Sequence, residues 1–403
     1  MRVRLADVGI WRSGGTPPKD RDELWGGGFP WISTRDLKQP ELSESTETIT
    51  EDAAYRFSTT VPAGSLLIGT RGMALAKRLP VAMATRAVAF NQDIKAIEPH
   101  RAVWSKYLLY ALLAFENPIL ALTDEAAHGT KRLDTDLLRA FRIPCPSLAE
   151  QRAVAGFLDA EIGRIDEMIR VRSRQRLLLE ERWSASLRTA VTPGGADDWT
   201  VFKLGREFCT GSGTTPSTER PEFYGEDVPW LNTGDLTDGA VVLARRGVTD
   251  RALAEHSALV VYPAGALVMA MYGATIGKLG MTSRPTTVNQ ACCVLHSPRR
   301  MDPWFAFFWL RSFRADIIAL ASGGGQPNIS QEAVRNLRVP APPLDEQRDI
   351  AARLRRQRGS LDAVIAAIDR QIALLRERRQ ALITAAVTGK LQVPTTATSS
   401  AAT

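Results

Sequence analysis

Histidine and cysteine are scarce in this 403-residue chain, four of each. Cys145, Cys209, Cys292 and Cys293 form no Cys-x-x-Cys pair, and His100, His128, His256 and His296 do not stand at zinc-ligand spacing beside a cysteine. A structural metal site or a disulfide framework is therefore not expected. A Walker loop is also missing, as is the glycine-rich cofactor loop with an Asn/Asp-Pro-Pro-aromatic strand end that adenine methyl transfer would need. The nearest approach, Asn117-Pro118-Ile119-Leu120, lacks the second proline. No sustained apolar segment follows the opening "MRVRLADVGIWRSGG", so no secretory signal is expected and a cytoplasmic location is. The most membrane-like run, Ala258 to Gly277, is broken by Pro263 and several glycines, and its counterpart, Thr60 to Pro80, contains Arg71 and Lys77. Two strands joined at a Pro-Ala-Gly hairpin fit both better than a span does, so no membrane partner is expected.

What is present is a duplication. "IPCPSLAEQR" (Ile143 to Arg152) returns as "VPAPPLDEQR" (Val339 to Arg348), an offset of 196 residues from Gln151 to Gln347. Without a gap, "LLLEERWSASLRTAVT" (Leu177 to Thr192) then matches "ALLRERRQALITAAVT" (Ala373 to Thr388). Upstream, "PWISTRDL" (Pro30 to Leu37) matches "PWLNTGDL" (Pro229 to Leu236), "VPAGSLLIG" (Val61 to Gly69) matches "YPAGALVMA" (Tyr262 to Ala270), and Asn91-Gln92 matches Asn289-Gln290. Small drifts in offset mark loop insertions. The plan is globule, long helix, globule, long helix, with each globule of α/β (α+β) type. Tyr107 to Phe115 and Pro303 to Phe313 have the apolar content of buried helices, while the Pro-Ala-Gly segments and "AVAFNQDIKAIE" have strand patterns. The boundaries implied are a first globule at 1–146, a helix at 147–192, a second globule at 193–342, a helix at 343–390 and a disordered tail at 391–403.

Ser147 with Glu150 three residues on forms a capping box at the first helix start. In the second helix Leu361, Ile365, Ile368, Ile372, Leu375, Arg379 and Leu382 step by alternating fours and threes, as a coiled-coil seam requires. The first helix keeps Ile165, Ile169, Leu179 and Trp183 but places Arg172 and Arg176 in the same register. About 40 helical residues would run about 60 Å, longer than one globule needs, so the pair is expected to form an antiparallel spacer.

The two Thr-Pro openings (Thr16-Pro17, Thr215-Pro216), the paired Pro-Trp segments, the Pro-Ala-Gly joints, the two Asn-Gln pairs and above all the two "P.L.EQR" helix starts resemble, over nearly the whole chain, the DNA specificity subunit of type I restriction-modification systems. The resemblance implies two target recognition domains, each reading one half of a split double-stranded DNA sequence. It further implies two long helices packed as an antiparallel coiled coil that recruits two methyltransferase subunits, to which motor-nuclease subunits join. The chain would be non-catalytic, with S-adenosylmethionine, ATP and Mg2+ handled by those partners.

A net charge of +7 and a pI near 9.4 are compatible with a nucleic-acid partner. Loop Arg, Lys, Asn, Gln and hydroxyl residues are the natural candidates for DNA contacts. In the first globule these are Lys19, Arg21, Arg35, Arg71, Lys77, Arg78, Lys131 and Arg132; in the second, Thr215, Ser217, Arg220, Asn232, Tyr272, Lys278, Gln326 and Asn328. Lys77 and Lys278 hold equivalent places after the Pro-Ala-Gly joints, where phosphate contact and simple solvation are equally open. "HGTKRLD" (His128 to Asp134) and "GGGQPNIS" (Gly323 to Ser330) each precede a capped short helix. The run Arg170, Arg172, Arg174 and Arg176 fits a solvated helix face with acidic neighbours better than a phosphate track.

Two other classes compete. A coiled-coil scaffold would join proteins without reading DNA. A stand-alone metal-dependent nuclease would use Asp93-Ile94-Lys95, an acidic-x-Lys form whose duplicate position reads Ala291-Cys292-Cys293, which favours chance.

Overall fold

A computed structural model describes residues 1–125, 130–194, 199–241, 244–320 and 328–393. The chain divides into two compact units. One comprises Met1–Ser173 and Asp369–Thr403, the other Arg174–Ile368, so each unit holds one globule, half of the first long helix and half of the second.

In the first globule a five-stranded sheet runs in the order Gly9–Ser13, Ile94–Pro99, Leu66–Gly69, Val81–Ala84, Glu41–Leu42. A four-stranded sheet runs Glu47–Ile49, Trp25–Ile32, Val88–Phe90, Thr59–Val61. The second globule repeats the five-stranded order with Cys209–Gly211, Cys292–His296, Leu267–Ala270, Leu279–Thr282 and Gly239–Val241. Its four-stranded sheet is Tyr224–Gly225, Arg246–Val248, Val228–Leu231, Thr287–Val288. The buried helices expected from composition are Ser105–Ala114 and Pro303–Ser312.

The Pro-Ala-Gly segments are not hairpins. Thr59–Val61 pairs with Val88–Phe90 in the four-stranded sheet, whereas Leu66–Gly69 pairs with Ile94–Pro99 and Val81–Ala84 in the five-stranded one. The joint is a corner between sheets. Gly64 (φ +88°) makes the turn and donates its N–H to the Ala84 carbonyl at 2.8 Å, and Gly265 (φ +80°) does the same toward Thr282 at 2.8 Å. A side chain at either glycine would be strained in that conformation. Asn91-Gln92 is the return corner, splitting the expected single strand into Val88–Phe90 and Ile94–Pro99.

The first long helix spans Leu148–Ala190 and the second Leu344–Val387. Ser147 and Glu150 exchange the expected capping bonds: the Ser147 N–H donates to Oε2 of Glu150 at 2.9 Å and the Glu150 N–H to Oγ of Ser147 at 3.3 Å. The helices run antiparallel. In the first unit Val154, Ala155, Leu158 and Ile162 of one and Ile383, Ala386 and Val387 of the other share the globule's core with Tyr107 to Leu112. In the second unit Trp183, Leu187 and Val191 join Ile350, Ala351 and Leu354 around Phe305 to Leu310. Of the seam residues, Ile165, Ile365, Ile368 and Ile372 are buried, and Ile169, Leu179, Leu361, Leu375 and Leu382 are half-buried. Leu361 and Leu382 pack at the margins of the two clusters that long helices and globules share. Arg172 and Arg176 are exposed, so they do not fill the seam positions their register suggested.

The helix segments are also tied by charge. Arg379 pairs with Asp166 at 3.1 Å in the first unit, and Arg358 pairs with Glu180 at 2.9 Å in the second. Of the segment expected to be a disordered tail, Leu391 and Val393 pack against the first globule's core; residues 394–403 lie outside the described residues.

Candidate nucleic-acid interface

The repeated helix start has a specific mechanical role. Gln151 and Gln347 are both fully buried. Gln151 accepts from the Trp104 N–H at 2.8 Å and donates to the carbonyls of Pro146 and Ala102 at 2.9 and 3.1 Å. Gln347 accepts from the Asp302 N–H at 2.9 Å and donates to Pro342 and Arg300 at 2.8 and 3.2 Å. One amide thus satisfies two backbone groups on the approach to the buried helix and one on the lead-in to the long helix, in both copies, where a buried polar backbone group without a partner would be costly.

The Thr-Pro openings are fixed the same way. Thr16 Oγ donates to Gln92 Oε1 at 2.5 Å, and Thr215 Oγ donates to Gln290 Oε1 at 2.6 Å. Trp31 Nε1 reaches the Gly15 carbonyl and Trp230 Nε1 the Thr214 carbonyl, each at 3.0 Å. These tryptophans are core residues that hold the opening loop against the four-stranded sheet.

The candidate DNA contacts fall into groups. Arg71, Lys131 and Arg132 come together on a three-stranded sheet of Thr123–Glu125, Lys131–Leu133 and Arg71–Gly72, where Arg132 lies directly opposite Arg71. The turn Met73–Ala76, which leads to exposed Lys77, packs against Lys131–Leu133. Thr34, next to exposed Arg35, lies beside Gly69 and Gly72. Lys19 is exposed on the opening loop, and Arg21 there pairs with Glu23 at 2.8 Å and lies over the Phe57 ring. Arg78 is half-buried and donates to the Leu37 carbonyl at 2.6 Å, which makes it a tie within the fold.

In the second globule Tyr272 and Asn328 face each other across an isolated antiparallel bridge. Lys278 is exposed nearby in sequence. Arg220 is held by Glu222 and Glu255 at 2.9 and 3.0 Å and lies over Phe223, with its pKa raised above the usual value first by the Glu222 bond. Asn232 accepts from the Gly234 N–H at 2.9 Å within a capping box completed by Asp235. Ser217 accepts weakly from the Glu219 N–H at 3.4 Å. Gln326, the residues 321–327 around it, and His128 and Gly129 of the first glycine-containing loop lie outside the described residues. The two short helices that follow are capped as expected, by Asp134 and Ser330.

A basic groove escaped the sequence reading. Arg245, Arg246 and Arg284 line a cavity of about 730 Å³ with Tyr224 and Glu226, and Arg245 also reaches the buried carboxylate of Asp235 at 3.5 Å. The adjacent pair Arg245-Arg246 was the available signal, but only the fold brings Arg284 to it. Among the described residues no group of His, Cys, Asp and Glu is placed to hold a metal ion, and Lys95 Nζ donates to Ser13 Oγ at 2.8 Å. No helix among the described residues is long and apolar enough to cross a membrane.

Two globules built on one strand order, each tied to the start of a long helix by a buried glutamine, define a chain made of two copies of one domain. The family model "Type I restriction modification DNA specificity domain" matches residues 1–173 and 196–372, and the chain belongs to that family. It is 34% identical over 157 residues to the Escherichia coli EcoR124I/EcoR124II specificity subunit, a match covering 38% of this chain and 39% of that protein. It is 24% identical to the Methanocaldococcus jannaschii MjaIX specificity subunit over 97% of this chain and 93% of the relative. In fold it resembles a chain solved in work on complex assembly and conformational transition of the type I R-M system, with a TM-score of 0.76 and 18% identity over 97% of this chain and 98% of that one. The HsdS subunit from Thermoanaerobacter tengcongensis gives a TM-score of 0.52 at 18% identity, over 97% of both chains.

Proposed function

We propose that this chain is the address-reading subunit of a DNA-modifying complex: each globule reads one half of a bipartite double-stranded site, and the helices set the distance between halves and recruit two methyltransferase subunits. A motor-nuclease subunit would join that core, with S-adenosylmethionine, ATP and Mg2+ used by the partners. The observation that carries the reading is the equivalence of the two globules. Their five-stranded sheets share one strand order and the buried glutamines, Thr-Gln bonds and glycine corners recur at equivalent places, while exposed side chains on them differ. Such a chain offers two like surfaces to two copies of one enzyme and two unlike surfaces to DNA.

The test is to express the chain with the methyltransferase encoded beside it in a host lacking adenine methylation and to map modified adenines across the genome. A split motif with an unspecified middle, lost when either globule is deleted, is the expected result. An assembled complex that methylates nothing would overturn the reading in favour of a protein scaffold. Magnesium-dependent cleavage of DNA by the chain alone, abolished by Asp93→Asn, would instead favour the nuclease.

A further inference from the structure

We infer that Arg71 with Arg132 in the first globule, and Tyr272 with Asn328 in the second, are the base-reading pairs that give the two half-sites different sequences. This rests on the DNA-reading role proposed above and assigns it to four side chains.

The two pairs occupy one position in a duplicated frame. In the first globule the Thr70 N–H donates to the Asp93 carbonyl at 2.7 Å, and the Thr70 carbonyl accepts from the Leu133 N–H at 2.9 Å. In the second the Met271 N–H donates to the Ala291 carbonyl at 2.8 Å, and the Met271 carbonyl accepts from the Ile329 N–H at 2.8 Å. Leu133 and Ile329 are core residues, 1% and 2% exposed, and each is followed at once by a helix cap, Asp134 or Ser330. Arg71 and Tyr272 follow the first of these frame residues; Arg132 and Asn328 precede the second. The cross-strand partners Arg71 with Arg132 and Tyr272 with Asn328 are therefore the same pair, rewritten.

The shared frame dictates neither pair, although Tyr272 is half-buried and packs against the margin of the second globule's core. Two arginines directly opposite on an antiparallel pair repel. Among the described residues no hydrogen bond or ion pair engages Arg71, while Arg132 has Asp124 opposite it on the far strand and acts electrostatically on Asp134. An acceptor-rich partner removes the conflict. Arginine forks match the O6/N7 edge of guanine, asparagine matches N6/N7 of adenine, and an aromatic ring suits the thymine methyl. The first half-site is thus expected to contain a guanine read by an arginine, and the second an adenine read by Asn328.

The experiment uses the assembled complex with its methyltransferase, carrying Arg71→Tyr/Arg132→Asn, the milder Arg71→Lys/Arg132→Lys, or the reciprocal Tyr272→Arg/Asn328→Arg. Methylated motifs are mapped, and methylation rate is measured against salt. The expected result is a changed or relaxed base preference at one or two positions of one half-site, by about tenfold or more, with the other half-site and the spacer unchanged. The reciprocal variant should alter only the other half. A wild-type motif methylated uniformly more slowly, with a shallower salt dependence, would mean that the pair holds phosphate; it would overturn the inference and leave the DNA-reading role standing. An unchanged motif and rate would overturn it too. If the exchange variant methylates nothing, the lysine variant decides, since it keeps the charge and loses the fork: a relaxed motif supports the inference and an intact one defeats it. Absence of any motif from the wild-type complex would remove the underlying reading itself.

Discussion

Asp36 illustrates how a single residue shapes the loop that carries Arg35. Its carboxylate accepts from the Ser33 N–H and hydroxyl at 2.8 and 2.7 Å, and from the Thr46 N–H and hydroxyl at 2.9 and 2.6 Å, so it closes the segment carrying Arg35. Partial burial pushes its pKa up, but the bonds from Thr46 and Ser33 outweigh this and hold it below the usual value. A carboxyl depressed in the folded state contributes stability above its unfolded pKa of about 3.9, and that stability is lost as pH falls toward the lower folded value. Asp36→Asn is therefore expected to loosen this loop at neutral pH, with the difference from wild type shrinking below about pH 4. Amide hydrogen exchange of residues 33–46 across that range checks it; a gap that persists undiminished at pH 3 would refute the assignment. The Ser-x-x-Asp spacing was visible in "STRDL", whereas its second partner, Thr46, is ten residues on and found only by folding.

At the scale of elements, the long helices draw their stability from the globules as much as from each other. Trp183 on the first long helix is 6% exposed and meets Phe308 edge to face, with ring centroids 6.4 Å apart. Truncating such a buried aromatic typically costs about 3–5 kcal/mol. Trp183→Ala is expected to speed amide exchange through the second unit, in the helix segment after Arg174 and in Pro303–Ser312, while the first globule keeps its protection. Equal deprotection of both units would show instead that they unfold as one. The heptad spacing exposed the helices in the sequence, but not that Leu361 and Leu382 would border clusters shared by helices and globules, because periodicity specifies a buried face and not what buries it. The Pro-Ala-Gly joint taught the same lesson for strands. Two apolar runs around a turn have one local signature whether they pair with each other or leave for different sheets.

For the whole molecule the central expectation concerns length. Seven residues inserted into both helices, after Ser173 and after Ile368 where the compact units divide, add about 10 Å at 1.5 Å per residue, or about three base pairs at 3.4 Å each. The mapped motif should keep both half-sites and gain about three unspecified positions. An unchanged spacer in a complex that still methylates would show that the helices do not set the distance.

The sequence by itself determined the duplication, the order of globule and helix, the capping box at Ser147, and the buried helices at Tyr107 and Pro303, because each is written in local periodicity or in residues repeated at a constant offset. It also singled out Arg71, Arg132, Tyr272 and Asn328 by residue type, but it had no means of pairing them. Only the tertiary structure decided that they face one another in two equivalent bridges, that Arg78 is tied to a backbone carbonyl and Arg220 to two carboxylates, and that Arg284 joins Arg245 and Arg246 around one groove. The physical reason is that cross-strand register and the capture of an arginine are set by backbone hydrogen bonds between segments far apart in the chain. Composition and period carry no record of which distant segment will supply the partner.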